Sequence, residues 1–179
     1  MSAEDLERWD ERYRDASVPP VGIPSSFAGL EHHFPTVGRA LDVACGAGAG
    51  SLWFARRGLQ VLGIDVSSVA IDHAAELSAR EDASPGTVEF LVHDTDDGLP
   101  AGPFDLVASH LFQNRRLDQA MADVISPGGM LAIAALSEVG GSPGRFRVTE
   151  GELEERVAPL LDVVHHHEAD GVAVLIARR

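Results

Sequence analysis

The sequence predicts a doubly wound α/β fold: a seven-stranded, mostly parallel sheet with helices on both faces and one antiparallel strand near the C-terminus. Three features predict it. An apolar segment, ALDVACGAGAG from Ala40 to Gly50, runs straight into a glycine-rich turn and the start of a helix. Apolar strand segments then alternate with helical ones as far as Leu136, the pattern of a parallel sheet whose crossovers cover both faces. Beyond that point two strand segments follow each other with only Ala169-Asp170 between them, and so short a turn makes them antiparallel neighbours.

In chain order, Ser2 to Arg14 reads as an amphipathic helix, with Ser2 and Asp5 at capping-box-like spacing and Leu6, Trp9 and Tyr13 on one face. Val18 to Pro24 is a proline-bearing linker, and Ser25 to Phe34 is expected to be a helix feeding the first strand. After the glycine turn, Ser51 to Arg57 is predicted as a helix closed by Gly58, its arginines set against the negative end of the dipole. Gln60 to Ile64 forms the second strand, and Ser67 caps a helix through about Arg80. Thr87 to Val92 alternates as a strand and delivers His93, Asp94 and Thr95 to the sheet edge that carries Asp42 and Asp65. Phe104 to Ser109 is the next strand, with a helix expected over His110 to Arg116. Pro127, Gly128 and Gly129 turn the chain into Met130 to Leu136. Ser137 to Val148 is a loop long enough to carry function. Thr149 and Glu152 form a capping box for a helix to about Leu160, before strands Asp162 to Glu168 and Gly171 to Ala177. The whole is expected to be one domain: an N-terminal helical cover over 1–36, a core over 37–136, and a loop, helix and hairpin over 137–179.

With 179 residues, 45% of them apolar, the chain suits one globular domain with a sizeable core. Fourteen basic residues against 28 acidic give a formal charge of −14, which repels a nucleic acid backbone. Cys45 is the only cysteine, so no intrachain disulfide forms, and a small residue packed at a strand end is a better reading than a catalytic thiol. Ser2 to Asp15 is too charged for a signal peptide, and no apolar run approaches the about 20 residues of a membrane span. A cytoplasmic location and no membrane partner are expected.

The glycine spacing separates two kinds of nucleotide. A dinucleotide fingerprint, G-x-G-x-x-G, would place its third glycine where Ser51 stands; the chain has G-x-G-x-G at Gly46, Gly48 and Gly50. Asp42, before the turn, would repel a diphosphate and welcome a cationic amine. Asp65 closes the second strand 19 residues after Gly46, where an acid can accept both ribose hydroxyls of an adenosine. Such an acid is expected to face an open cleft and make few packing contacts.

These residues resemble the class I S-adenosylmethionine-dependent methyltransferases. ALDVACGAGAG looks like their first motif, VLGIDVS their second and VEFLVHDTD their third, while FDLVASHLF and SPGGML resemble the fourth motif and the turn before the fifth strand. The N-terminal WDERY further resembles a small tellurite-resistance-like branch. The resemblance implies a Rossmann-like sheet and S-adenosylmethionine as cofactor, held by Asp42, Gly46, Gly48, Asp65, Val66, Asp94, Thr95 and Ser109. In it Asp94 contacts the adenine amino group, and Trp9 and Tyr13 close over the cofactor as a lid, although packing onto the domain explains those two aromatics equally well.

A sulfonium methyl donor is already activated, so the protein need only hold an acceptor in line with the methyl group. A hydroxyl or amine acceptor also needs a base, for which His110 is the candidate, with Phe112 lining the pocket. SHLF departs from the D/N-P-P-Y/F of enzymes that methylate base amino groups, which favours a small molecule. Arg115, Arg145 and Arg147 could surround an anionic acceptor, or simply decorate the surface. His165, His166 and His167 lie on a strand, where alternation separates them, so no metal site is expected. The expected function is methyl transfer to a small-molecule acceptor. The alternatives are a non-catalytic S-adenosylmethionine-binding module and a nicotinamide-dependent oxidoreductase. Acceptor and oligomeric state are not legible.

Overall fold

The computed structural model describes residues 3–144 and 146–179. Seven strands are present: β1 (Gly38–Val43), β2 (Leu59–Asp65), β3 (Thr87–Val92), β4 (Phe104–His110), β5 (Ile125–Leu136), β6 (Asp162–Ala169) and β7 (Val172–Arg178). They form one sheet in the order β3-β2-β1-β4-β5-β7-β6. β2 pairs parallel with β1 and β3, and β4 with β5, while β7 runs antiparallel to both β5 and β6. The expected single antiparallel strand is therefore β7. No helix among the described residues is long and apolar enough to cross a membrane. By their contacts the residues group into two compact units, 1–24 with 35–98, and 25–34 with 99–179.

In the first unit, Ala40, Leu41, Asp42 and Val43 are all buried, as a strand covered on both faces requires. Helix α2 (Ala49–Arg56), with Gly48 at its N-cap, starts two residues earlier than the apolar pattern suggested. It stops at Gly58, where φ is +110° and a Cβ would stand 2.3 Å from the Thr36 carbonyl oxygen, so no other residue closes the turn. Helix α3 (Ser68–Arg80) is capped as expected: the Ser67 hydroxyl accepts from the Ala70 N–H at 3.1 Å. It buries Ala70, Ile71, Ala74 and Leu77, a helical stripe. The N-terminal helix α1 spans Ala3–Arg14; Ser2 of the expected capping pair lies outside the described residues.

The second unit departs from expectation in two places. Ser25 to Phe34 is not one helix but two single 3₁₀ turns, Ser25–Phe27 and Glu31–His33. Gly29 breaks it at φ +84°, and the break lets Phe27 and Phe34, 0% and 3% exposed, meet edge-to-face at 5.5 Å. The helix expected over His110 to Arg116 is also absent. β4 continues through His110, and Leu111 takes φ +57° while its N–H donates to the Ala134 carbonyl, a conformation that the body of a helix does not admit. Helix α4 is only Asp118–Asp123. β5 begins before the Pro-Gly-Gly sequence and absorbs it as an irregularity opposite Phe104 and Leu106. Helix α5 (Glu152–Val157) is shorter than expected, and Asp170 and Gly171, both at positive φ, form the hairpin turn one residue later than predicted.

Candidate active site

The glycine turn, strand ends and α1 belong to the first unit. Gly46 and Gly48 do different work. At Gly48, φ is +80° and a Cβ would stand 2.6 Å from the Phe90 ring and 2.8 Å from Ala74, so its absence lets α2 start against β3 and α3. At Gly46 the space a side chain would fill is taken by the Tyr13 hydroxyl, 2.7 Å from the Cβ position. Burial pushes the Tyr13 phenol up to about 12, with the Asp65 charge adding to it, so it stays a neutral donor at all ordinary pH. Trp9 packs 6.4 Å from Tyr13, and Arg12 lies over its ring at 5.2 Å. The Asp10 carboxylate accepts from the Ser67 hydroxyl at 2.6 Å, tying α1 to the cap of α3.

Two carboxylates flank this turn, and both are buried. Asp42 is 6% exposed, and its Oδ2 accepts from the Ser51 hydroxyl at 2.5 Å. Burial lifts its pKa to about 7; the Ser51 bond pulls the other way, and the Asp65 charge adds to the rise. Ser51, the residue that breaks the dinucleotide spacing, is thus the partner of the acid before the turn. Asp65 does not face an open cleft with few contacts, as the sequence suggested. It is 6% exposed, its Oδ2 accepts from the Gly46 N–H and its Oδ1 from the Ser67 N–H, each at 2.9 Å. Burial raises its pKa, and the bonds from Ser67, Gly46 and the half-buried Val66 oppose the rise. With these donors on its two oxygens, the carboxylate keeps acceptor capacity for a ligand hydroxyl. The His93 N–H donates to the Asp65 carbonyl at 2.8 Å, which sets Asp94 and buried Thr95 at the adjoining strand end. Asp94 accepts from the Asp96 N–H at 2.9 Å and opens the 3₁₀ turn Thr95–Asp97. Cys45 packs against Gly63, and burial drives its thiol pKa up, which suits a packed residue rather than a nucleophile.

In the second unit, His110 ends β4, and its Nε2 lies 3.1 Å from the Ser26 hydroxyl. The Phe27 ring centroid is 5.9 Å away, and burial lowers the His110 pKa, so the imidazole is neutral near pH 7. Ser109 is 2% exposed and donates to the Phe112 carbonyl at 3.3 Å, which fixes the turn after β4. Beneath that turn is a cavity of about 10 Å³ lined by Ser109, Phe112, Gln113, Asp118, Leu153 and Arg156.

The arginines are placed otherwise than a waiting anion clamp. Arg115 holds Glu152 with two bonds, at 2.5 and 2.8 Å, which presses the Glu152 carboxyl down to about 2. Arg147 donates to the carbonyls of Ser137 and Gly171, at 2.6 and 3.2 Å, and so closes the loop from Ser137 onto the hairpin. Arg145 lies outside the described residues. Arg156, which the sequence gave no reason to single out, grips Asp118 through two 2.7 Å bonds. His166 Nδ1 lies 3.1 Å from Glu154, and no group of three ligating side chains is placed to hold a metal among the described residues.

Comparison with known proteins is decided by the central segment. A family model described as a methyltransferase domain matches residues 40–129, half of the chain. The chain belongs to the methyltransferase-domain family.

Among relatives of this methyltransferase-domain chain, a ubiquinone biosynthesis O-methyltransferase of Xanthomonas axonopodis pv. citri is 32% identical over 163 residues, 86% of this chain and 63% of that protein. The chain spans less than two thirds of the length of the curated relatives it matches. Similar solved structures include TehB from Haemophilus influenzae, with TM-score 0.72 and 18% identity over 97% of this chain and 66% of that one. Another is magnesium protoporphyrin IX methyltransferase from Synechocystis PCC 6803 with S-adenosylmethionine bound, with TM-score 0.69 and 19% identity over 99% and 92%. These likenesses establish the fold. In this methyltransferase-domain chain, sequence reasoning named Ser67 only as a helix cap and overlooked Asp10 and Ser26. Ser67 carried a local signal as a helix cap, but its bond to Asp10 spans 57 positions, and that of Ser26 to His110 spans 84.

Proposed function

We propose that this protein transfers a methyl group from S-adenosylmethionine to the oxygen of a small-molecule acceptor. The observation that carries the donor assignment is the pair of buried carboxylates around a glycine turn. Asp42 has no cationic partner among the described residues, and a ligand ammonium would supply the charge that its buried carboxyl lacks. Asp65 would take the ribose hydroxyls on its remaining lone pairs, with Val66 and Thr95 beside it, Asp94 on the adenine amino group, and Trp9 and Tyr13 over the turn. Bound there, the sulfonium supplies an activated methyl group.

On the acceptor side, His110 is the base. A half-buried, neutral imidazole at a strand end can take a hydroxyl proton near pH 7, and Ser109 holds the turn that carries Phe112. Oxygen as acceptor is supported by those curated relatives that are ubiquinone biosynthesis O-methyltransferases. The WDERY sequence and the likeness to TehB support placing the chain near that small branch. The test is turnover of S-adenosylmethionine to S-adenosylhomocysteine with catechol, a simple thiol, benzoate and selenite. Methylation of catechol is the expected result. Binding of the cofactor with no turnover on any of the four would favour a non-catalytic binding module, and binding of NAD instead would overturn the donor assignment.

A further inference from the structure

We propose that Ser26 is a positioning residue for His110, accepting a hydrogen bond from its Nε2–H and so leaving Nδ1 as the nitrogen that takes the acceptor's proton. This rests on the reading of His110 as the base of an oxygen methyltransferase. Ser26 Oγ lies 3.1 Å from Nε2, and the His110 ring makes no other hydrogen bond among the described residues. The two residues are 84 positions apart, so no local turn explains their meeting. Ser26 is instead carried there by a segment anchored on both sides. Phe27, fully buried, packs against the His110 ring and against Phe34, and the His33 carbonyl accepts from the Arg178 guanidinium at 3.2 Å. A residue so held fixes the ring plane as well as the tautomer.

The chemistry gives the contact a direction. As the acceptor oxygen forms its bond to the methyl carbon, the carbon–sulfur bond breaks with its electron pair left on sulfur, and the hydroxyl proton passes to Nδ1. The imidazolium so formed makes its Nε2–H a stronger donor, and the Ser26 oxygen meets that charge without reorganising. Burial alone disfavours the charged ring, so this oxygen is the group that restores part of its basicity.

The test compares Ser26→Thr with Ser26→Val, which share a shape and differ in the hydroxyl. Imidazole titration by nuclear magnetic resonance, with His110→Gln to assign the signal, should show the His110 pKa about one unit lower in the Val variant than in wild type, with Thr close to wild type. With catechol as acceptor, kcat should fall about tenfold for Val and recover for Thr, while KM and calorimetric affinity for S-adenosylhomocysteine stay unchanged. Equal pKa values in Thr and Val variants overturn the proposal. If His110→Gln keeps its kcat, the reading of His110 as base fails. If it loses kcat while Ser26→Val keeps it, only the role of Ser26 fails.

Discussion

The Gly46 N–H donates to Oδ2 of Asp65 at 2.9 Å, so the acid at the end of β2 holds the shape of the glycine turn that follows β1. Its other oxygen holds the Ser67 N–H at the start of α3. Asp65→Ala therefore strands two buried N–H groups, each costing about 1–3 kcal/mol. The variant should melt well below wild type without ligand and also lose affinity for S-adenosylhomocysteine. A melt of the empty protein beside a calorimetric titration checks both. Loss of affinity with an unchanged melting temperature would show that the turn keeps its shape without Asp65.

Asp42 couples stability to pH in the opposite sense from an ordinary surface acid. Its folded-state pKa of about 7 lies above the unfolded value near 3.9, so it favours the fold at low pH and loses that contribution as pH rises through about 7. Asp42→Asn keeps an acceptor for Ser51 and removes the buried charge. The ligand-free variant should melt higher than wild type, by a margin that grows from about pH 4 to about pH 7 and then levels off, while cofactor affinity falls. In wild type, affinity for S-adenosylhomocysteine should weaken as pH drops below about 7, because the ionised carboxylate meets the ligand ammonium. A variant that melts lower at every pH would show that the charge is not the strained element.

Arg115 and Arg147 act on the fold. Arg147→Gln removes two charged donors from the carbonyls of Ser137 and Gly171 and should lower the melting temperature, with no change in the KM of an uncharged acceptor such as catechol. Glu152→Gln breaks the Arg115 pair. The Glu152 pKa is depressed to about 2, so its contribution is present above about 4.3 and is lost as pH falls toward about 2. The gap in melting temperature between wild type and Glu152→Gln should therefore narrow over that interval. A gap independent of pH would mean the ion pair is screened by solvent at the half-exposed Arg115 side.

Gly48→Ala should be among the most damaging single-methyl changes. The new Cβ meets Phe90 at 2.6 Å and Ala74 at 2.8 Å, in a backbone conformation that alanine disfavours. Gly128→Ala, also at positive φ but with nothing within 4 Å, carries only the backbone cost. Melts of the two variants should differ by the packing part, with Gly48→Ala lower. Equal losses would reduce both to backbone strain.

By itself the sequence determined the turn, the strand ends and the direction of the chain, because each is enforced within a few residues. Gly46 and Gly48 announce a backbone that other residues rarely adopt, Ser67 caps the helix next to it, and a two-residue connection admits only an antiparallel hairpin. Tertiary structure decided what those local rules leave open. A helix over 25–34 and another after His110 were plausible by pattern, but burial of Phe27 and Phe34 and pairing of Leu111 with Ala134 outweigh so weak a propensity. The partners of charged groups were equally hidden. Arg115 finds Glu152 across 37 positions and Ser26 finds His110 across 84, distances over which residue type alone carries no register. Whether Asp65 faced solvent or a pair of buried N–H groups depended on how closely the turn after β1 returns to the end of β2, and that return is a property of packing.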